Sequence, residues 1–498
     1  MARSIFPFLL LFLFTYYYTG VQSHEEGYIT ADISNKGLEF LKDLLIEKAE
    51  SSLVPLELPK IEKSVKIPII GSVKMVLSNI TIEKIHVTSS TVKTGDTGIL
   101  IDVSGATANL SMNWKYSYST WLLPIAVSDK GSATVQLSLL DSAIKGIDNF
   151  FSSKVEGLDI GLTFSLNNLQ GSLKLSLLEC GCYVNNISIK LDGGASWLYQ
   201  GLIDAFEGKI SSAVEDAVSK KLKEAIPKLD SVLQSLPKEV SVTDIAKLNV
   251  TFVDEPELSG SSLNLQINGL FYAKNEVAHK TLKASHSCNE ADKMVKISLH
   301  ENVLKSASSV YFEANKMHWM VDKVPDQSLL NTAEWRFIVP QLYKKYPNRD
   351  MNLNLSVSSP PIIEVENQRI SAIIPLDVVI DILDADELIP VACISMVISS
   401  SGSAKISGHA LTGNLKLNDF TMSLKWSNIG DFHMRLIQTV MSTMLKTVIL
   451  PFANLKLGKG LQLPVFHGYE LQYAQILCTD SWIVICSDVA PVEQLRLV

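Results

Sequence analysis

The chain has 498 residues, 47% hydrophobic and 19% charged, with a formal net charge of −8. This acidic balance excludes a nucleic-acid partner, which would require a basic face, and leaves attraction to anionic membranes only to a local basic patch. Its six cysteines, Cys180, Cys182, Cys288, Cys393, Cys478 and Cys486, are too few for a disulfide scaffold and allow roughly one or two stapling bridges.

The first residues read as a secretory signal. Arg3 precedes an apolar run from Ile5 to Tyr18, and Val21-Gln22-Ser23 supplies small residues at the cleavage positions. The run is shorter than the roughly 20 apolar residues a spanning helix needs. Residues 1–23 are therefore expected to be removed, leaving a secreted, extracellular chain from His24. An amphipathic helix follows, with Ser34 as its N-cap and Leu38, Leu41 and Leu45 on one stripe, ended by Pro55 and Pro59.

From Lys63 to about Lys190 the period changes to two. Ser72 to Leu77, Thr81 to Val87, Thr134 to Leu139, Leu162 to Leu166 and Leu173 to Leu177 alternate as strands of a long, twisted antiparallel sheet. A long helix comes next: Leu198, Leu202, Phe206, Ile210, Val214 and Val218 step by four, Lys220, Lys221 and Glu224 remain solvated, and Pro227 stops or kinks it. Residues 263–271 read as a strand, and Tyr272 to Lys293 is polar without a clear period, suiting a linker or long crossover.

The second half repeats this plan. A helix-like segment runs from about Ser328 to Tyr346, strands extend from Met351 to Leu424, and a Met-rich helix carries Leu436, Ile437, Val440, Met441, Met444, Leu445 and Val448. The approaches to the two long helices also correspond: Ser188-Ile189-Lys190 precedes Leu202 by 14 positions, and Ser423-Leu424-Lys425 precedes Leu436 by 13 (202 − 188 and 436 − 423). The expected organisation is a signal peptide at 1–23, an N-terminal domain at 24–271, a linker at 272–293 and a C-terminal domain at 294–498.

No catalytic constellation emerges. His300-Glu301 opens like a zinc-protease helix, but position 304 is Leu304 rather than the second histidine. Asp384-Ala385-Asp386-Glu387 reads as a solvated turn rather than a calcium loop. Nothing calls for a cofactor, a metal or an enzymatic function. The Met434, Met441 and Met444 stripe suits either a core or an adaptable lipid pocket. Cys478 and Cys486 flank Asp480-Ser481 in an expected hairpin, which offers them a cross-strand bridge; Cys180 and Cys182 would close only a small strained ring. Sequons at Asn79, Asn109, Asn186, Asn249 and Asn354 permit glycosylation without showing it.

A series of short motifs spans nearly the whole chain: Ile33-Ser34-Asn35-Lys36-Gly37-Leu38, Tyr343 to Asn348, Ser359-Pro360-Pro361, Leu411 to Leu417 through Ser427-Asn428-Ile429-Gly430, Leu450-Pro451, Asn454 and Lys459 to Pro464. Together they resemble the bactericidal/permeability-increasing and lipopolysaccharide-binding protein family. The resemblance implies an α+β fold: an elongated boomerang of two similar domains, each a highly twisted antiparallel sheet packed with long amphipathic helices, joined by a central sheet. It further implies an apolar acyl-chain pocket in each domain, lined here by Leu202, Phe206 and Ile210, and by Leu436, Val440 and Met444. The family's disulfide joins a cysteine before the long helix to one inside it; Cys182 or Cys180 suits the first position, but the second falls near Glu215.

Lipopolysaccharide binders of this family use a basic N-terminal tip. Residues 60–93 hold six lysines (60, 63, 66, 74, 84 and 93) against Glu62 and Glu83, a local +4 (6 − 2). A nearby loop is expected to add Trp114, Lys115 and Trp121, so Lys63, Lys66, Lys74, Trp114, Lys115 and Trp121 form the expected headgroup surface. The implied partners are lipopolysaccharide or phospholipid and a bacterial or lipid membrane surface, in innate defence. A phospholipid or sterol-ester carrier and an extracellular adhesion or scaffold protein are the alternatives.

Overall fold

The computed structural model describes residues 27–67, 71–96, 98–119, 126–137, 154–155, 157–185, 187, 189–192, 200–272, 293–323, 327–385, 387–407, 410–462 and 468–492. The expected signal peptide, Trp121, Asn186, Cys288 and nearly all of the expected linker lie outside them.

Among the described residues, the N-terminal half is built on a ten-stranded sheet, antiparallel except where Ala126–Leu137 meets Lys154–Val155. The alternation explains its two faces: Val73, Met75 and Leu77 are buried, while the alternate residues Ser72 and Lys74 are exposed. Register shifts at Ser78/Thr81 and Val103/Ala106 mark bulges that bend the sheet around its core.

Helix α1 (Asn35–Leu53) starts at Ser34, whose side chain accepts from the Gly37 N–H at 3.3 Å. Only glycine fits at position 37, because a Cβ there would stand 2.4 Å from the Met294 carbonyl oxygen. Helix α2 (Gln200–Gln234) lies along the edge strand Ser172–Val184. Two of its carboxylates take up edge N–H groups: Glu215 accepts from Val184 and Asp230 from Leu175, each at 2.8 Å. The helix thereby covers an edge that would otherwise invite pairing with another chain. Pro227 does not stop it; the proline lies on an exposed stretch, where water can serve the carbonyl left unpaired.

A six-stranded central sheet unites segments distant in the chain. Its order is Glu257–Ser259, Ser262–Ile267, Ile29–Ser34, Val295–His300, Trp482–Pro491 and Tyr469–Thr479. Asp488 fastens it by accepting from Lys36 at 3.1 Å and Lys293 at 3.2 Å.

The C-terminal half has a seven-stranded antiparallel sheet among the described residues, centred on Arg369–Asp384, Glu387–Ser407 and Ala410–Ser427. Its helices are α3 (Glu301–Glu313), α4 (Pro340–Lys345), α5 (Met434–Met444) and α6 (Leu450–Lys459), the last two joined by a π-turn at Leu445–Ile449. One expectation needs correction here. The segment from Ser328 to Tyr346 is not one helix but a 3-10 turn at Gln327–Leu330 and the short α4. Leu330, Trp335, Val339 and Leu342 are buried at helix-like spacings, but Trp335 and Val339 are carried by the hydrogen-bonded loop between the two helical turns, tied by Thr332 to the Tyr346 carbonyl at 2.7 Å. The helix-like opening at His300-Glu301 is a true helix start, and His300 serves as its cap, accepting from the Asn302 N–H at 3.2 Å.

The expected Cys478–Cys486 bridge is also corrected. Cys486 is disulfide-bonded, whereas Cys478 is free. The tight turn at Asp480-Ser481 sets the register, placing Cys478 opposite Ile483 and Cys486 opposite Gln475. The two sulfurs therefore belong to different cross-strand pairs on opposite faces.

Candidate lipid-binding site

In each half, a long helix packs an apolar stripe against the buried face of a sheet. In the N-terminal half, Phe206 (1% exposed) and Ile210 (0%) lead a stripe continued by Val214, Val218 and Leu222, packed in one cluster with Leu77, Leu110 and Met112. Leu202 is on the same helix, but its side chain lies outside the described residues.

In the C-terminal half the buried stripe is Ile437, Met441, Met444 and Leu445, packed with Ile394, Met396 and Phe420. Met444 is in place, Val440 sits at the margin of the cluster, and Leu436 is 49% exposed. The expected stripe through Leu436 is thus about one residue out of phase. The helix is apolar on several sides, so periodicity alone does not settle which side meets the sheet.

The proposed basic tip divides between two faces. Lys66, Lys74 and Lys115 share the outward face, whereas Lys63 lies on the inward side of its strand, opposite Met75. Trp114 corrects the expectation of an exposed aromatic loop. It lies within the strand Gly98–Ser119, opposite Leu77, and is 2% exposed in the core. The alternation Ala108, Leu110, Met112, Trp114 carries that signal in the sequence. Register adds a lysine that the sequence reading missed: Lys130 stands directly across from Lys115. Like charges so placed are unfavourable unless an anion or acidic group offsets them.

Elsewhere on this face, Glu62 pairs with Lys60 at 2.6 Å and with Lys74 at 2.9 Å. Hydrogen bonds from Lys60 and then Lys74 draw its carboxyl down to about 2. Glu215, on α2, holds the Val184 N–H of the neighbouring strand. Burial, with the Glu215 charge adding to it, pushes the neighbouring Cys182 thiol up to about 12, and both Cys180 and Cys182 are free. Of the sequons, Asn79 is exposed at a bulge, Asn109 and Asn354 are half-exposed on strands, and Asn249 is turned onto Thr251, whose hydroxyl it accepts at 2.7 Å.

Comparison with known proteins agrees with this architecture. Residues 37–236 match the N-terminal domain of the LBP / BPI / CETP family, and residues 240–490 match its C-terminal domain. A putative BPI/LBP family protein of Arabidopsis thaliana is 49% identical over 489 residues, covering 97% of this chain and 96% of the relative. The bactericidal permeability-increasing protein of Sebastes schlegelii is 24% identical, over 92% of this chain and 94% of its own. The lipopolysaccharide-binding protein of Homo sapiens is 22% identical, over 89% of each. A crystal structure of lipopolysaccharide binding protein shares the fold, with a TM-score of 0.62 at 19% identity over 94% of this chain and 100% of that one. The chain, in both its halves, belongs to the LBP/BPI/CETP family and has that family's lipid-binding fold.

Proposed function

We propose that this protein is an extracellular lipid-binding protein of innate defence that holds acyl chains between the long helices and sheets and recognises bacterial lipopolysaccharide. The observation that carries this reading is similarity across both domains to relatives named for lipopolysaccharide binding and bacterial permeability. The apolar stripes of α2 and α5 support it, since each methylene taken from water contributes about 0.8 kcal/mol. Phe206, Ile210, Val440 and Met444 are the lining residues proposed, with Lys66, Lys74 and Lys115 meeting phosphates.

A second reading, a phospholipid or sterol-ester carrier without a lipopolysaccharide role, draws support from Glu62, which already partners two lysines near that face, and from the burial of Trp114. Mass spectrometry of an organic extract from purified protein, together with binding to lipopolysaccharide and to neutral phospholipid vesicles at low and high salt, tests both. Salt-sensitive lipopolysaccharide binding is expected. Neutral-lipid binding without it would replace the first reading by the second, and a lipid-free protein that binds neither would overturn both in favour of an adhesion or scaffold role.

A further inference from the structure

The helical stretch Met434–Lys459 carries no Asp or Glu and four cations, Arg435, Lys446, Lys456 and Lys459, in a chain whose formal net charge is −8. It is the one helix among the described residues that is long and apolar enough to cross a membrane, yet only 22% of its most apolar window is buried. Its two halves differ sharply. α5 sends Ile437, Met441 and Met444 into the core, but α6 buries no residue at all. Phe452 is 52% exposed and Leu455 62%.

This exposed segment is held in place. Asn454 pairs with the backbone of Leu415 as a neighbouring strand would, accepting from its N–H at 2.7 Å and donating to its carbonyl at 3.0 Å. Phe452, Leu455, Lys456 and Lys459 follow at i, i+3, i+4 and i+7, so they share one face. The Lys456 ammonium lies 5.5 Å from the centre of the Phe452 ring. Between α6 and the Glu387–Ser407/Ala410–Ser427 hairpin runs a cleft of about 310 Å³, lined by polar residues such as Ser403, Thr412 and Asn414, and by Lys405.

We propose that this end of the C-terminal half docks on an anionic phospholipid surface. α6 lies in the interface plane, Phe452 and Leu455 enter the acyl boundary, Lys456 and Lys459 meet phosphates, and a headgroup sits in the cleft beside Lys405. Exposed rings and aliphatic groups alternating with cations are the composition of an interfacial helix. A second copy of the chain fits less well, because self-association would bring two acid-free basic faces together. The proposal does not depend on acyl chains occupying the helix–sheet interfaces.

Co-sedimentation of the full chain with mixed phosphatidylcholine–phosphatidylserine vesicles tests it, with phosphatidylcholine vesicles as the comparison. Wild-type protein is expected to prefer the anionic vesicles. Lys456→Glu with Lys459→Glu should weaken that binding by at least about 30-fold, two cations at roughly fivefold each before the added repulsion. Phe452→Ser with Leu455→Ser should weaken binding to a similar extent at high salt, and Lys405→Ser should reduce the preference for phosphatidylserine. All these positions are exposed or line an open cleft, so circular dichroism should remain that of wild type. Co-purified lipid should also be unchanged, which separates this result from failure of the acyl-binding reading. Absence of vesicle binding, wild-type binding by the charge-reversed variant, or dimerisation lost on Leu455→Ser with vesicle binding intact would each overturn the proposal.

Discussion

The two long helical stretches occupy comparable places in their halves but meet their surroundings differently. α2 seals its half: Phe206, Ile210, Val214 and Val218 are buried, and Glu215 and Asp230 close the sheet edge. The Met434–Lys459 stretch seals only with its first part; beyond the π-turn it presents Phe452 and Leu455 outward, and no acidic residue accompanies its cations. One arrangement of helix on sheet thus serves two ends. A helix supplied with carboxylates can satisfy an open sheet edge and complete a core, while an acid-free helix that rests on its sheet without burying a side chain offers an apolar, basic surface.

The contrast is sharpest in stability. Phe206→Ala should cost about 3–5 kcal/mol, because the cavity opens inside a packed core. Phe452→Ala should stay within about 0.5 kcal/mol, as a surface change does. Denaturant unfolding compares the two, and equal costs would erase the distinction between the helices.

Glu215→Cys probes how α2 is fastened. Cys182 is buried beside this position, so under oxidation it is expected to form a disulfide with the introduced thiol. Peptide mapping detects the bridge, which should add about 2–4 kcal/mol less the lost Val184 bond. Persistence of two free thiols under oxidation would show that α2 does not hold position 215 within bonding reach of Cys182.

Asn454→Ala removes two backbone partners from the anchor of α6, an effect of roughly 1–3 kcal/mol. Hydrogen exchange should quicken locally at Leu415 with little change in the N-terminal sheet. Uniform quickening would mean that α6 is no separate appendage.

The smallest effect concerns Glu62. Its carboxyl titrates near 2 in the folded chain against an ordinary 4.5, held down by Lys60 and Lys74. A folded-state value below the unfolded one contributes stability that is present above about pH 4.5 and disappears as pH falls toward 2. Glu62→Gln should flatten this acid dependence and, by freeing lysine charge, tighten binding to anionic vesicles about fivefold at low salt. Unchanged binding would remove the N-terminal basic face from lipid recognition and leave α6 as the stronger candidate.

Features that depend on near neighbours were legible in the amino-acid pattern alone. The alternation Val73, Met75, Leu77 specifies a two-faced strand, the four-step stripe from Phe206 to Val218 specifies a one-sided helix, and Ser34 starts α1 through a bond three residues away. Trp114 was legible by the same alternation, although with Lys115 and Trp121 it read as part of an exposed loop. Register, and partners far along the chain, emerge only once the strands are paired and the helices packed. The central sheet joins strands from the beginning, middle and end of the chain, Lys130 reaches Lys115 only through strand pairing, and the tight turn separates Cys478 from Cys486. The side of the Met434–Lys459 stretch that meets the sheet belongs to this second class. An amino-acid pattern that is apolar on several sides fits the sheet in more than one rotation, and the choice rests with packing partners such as Met396 and Phe420.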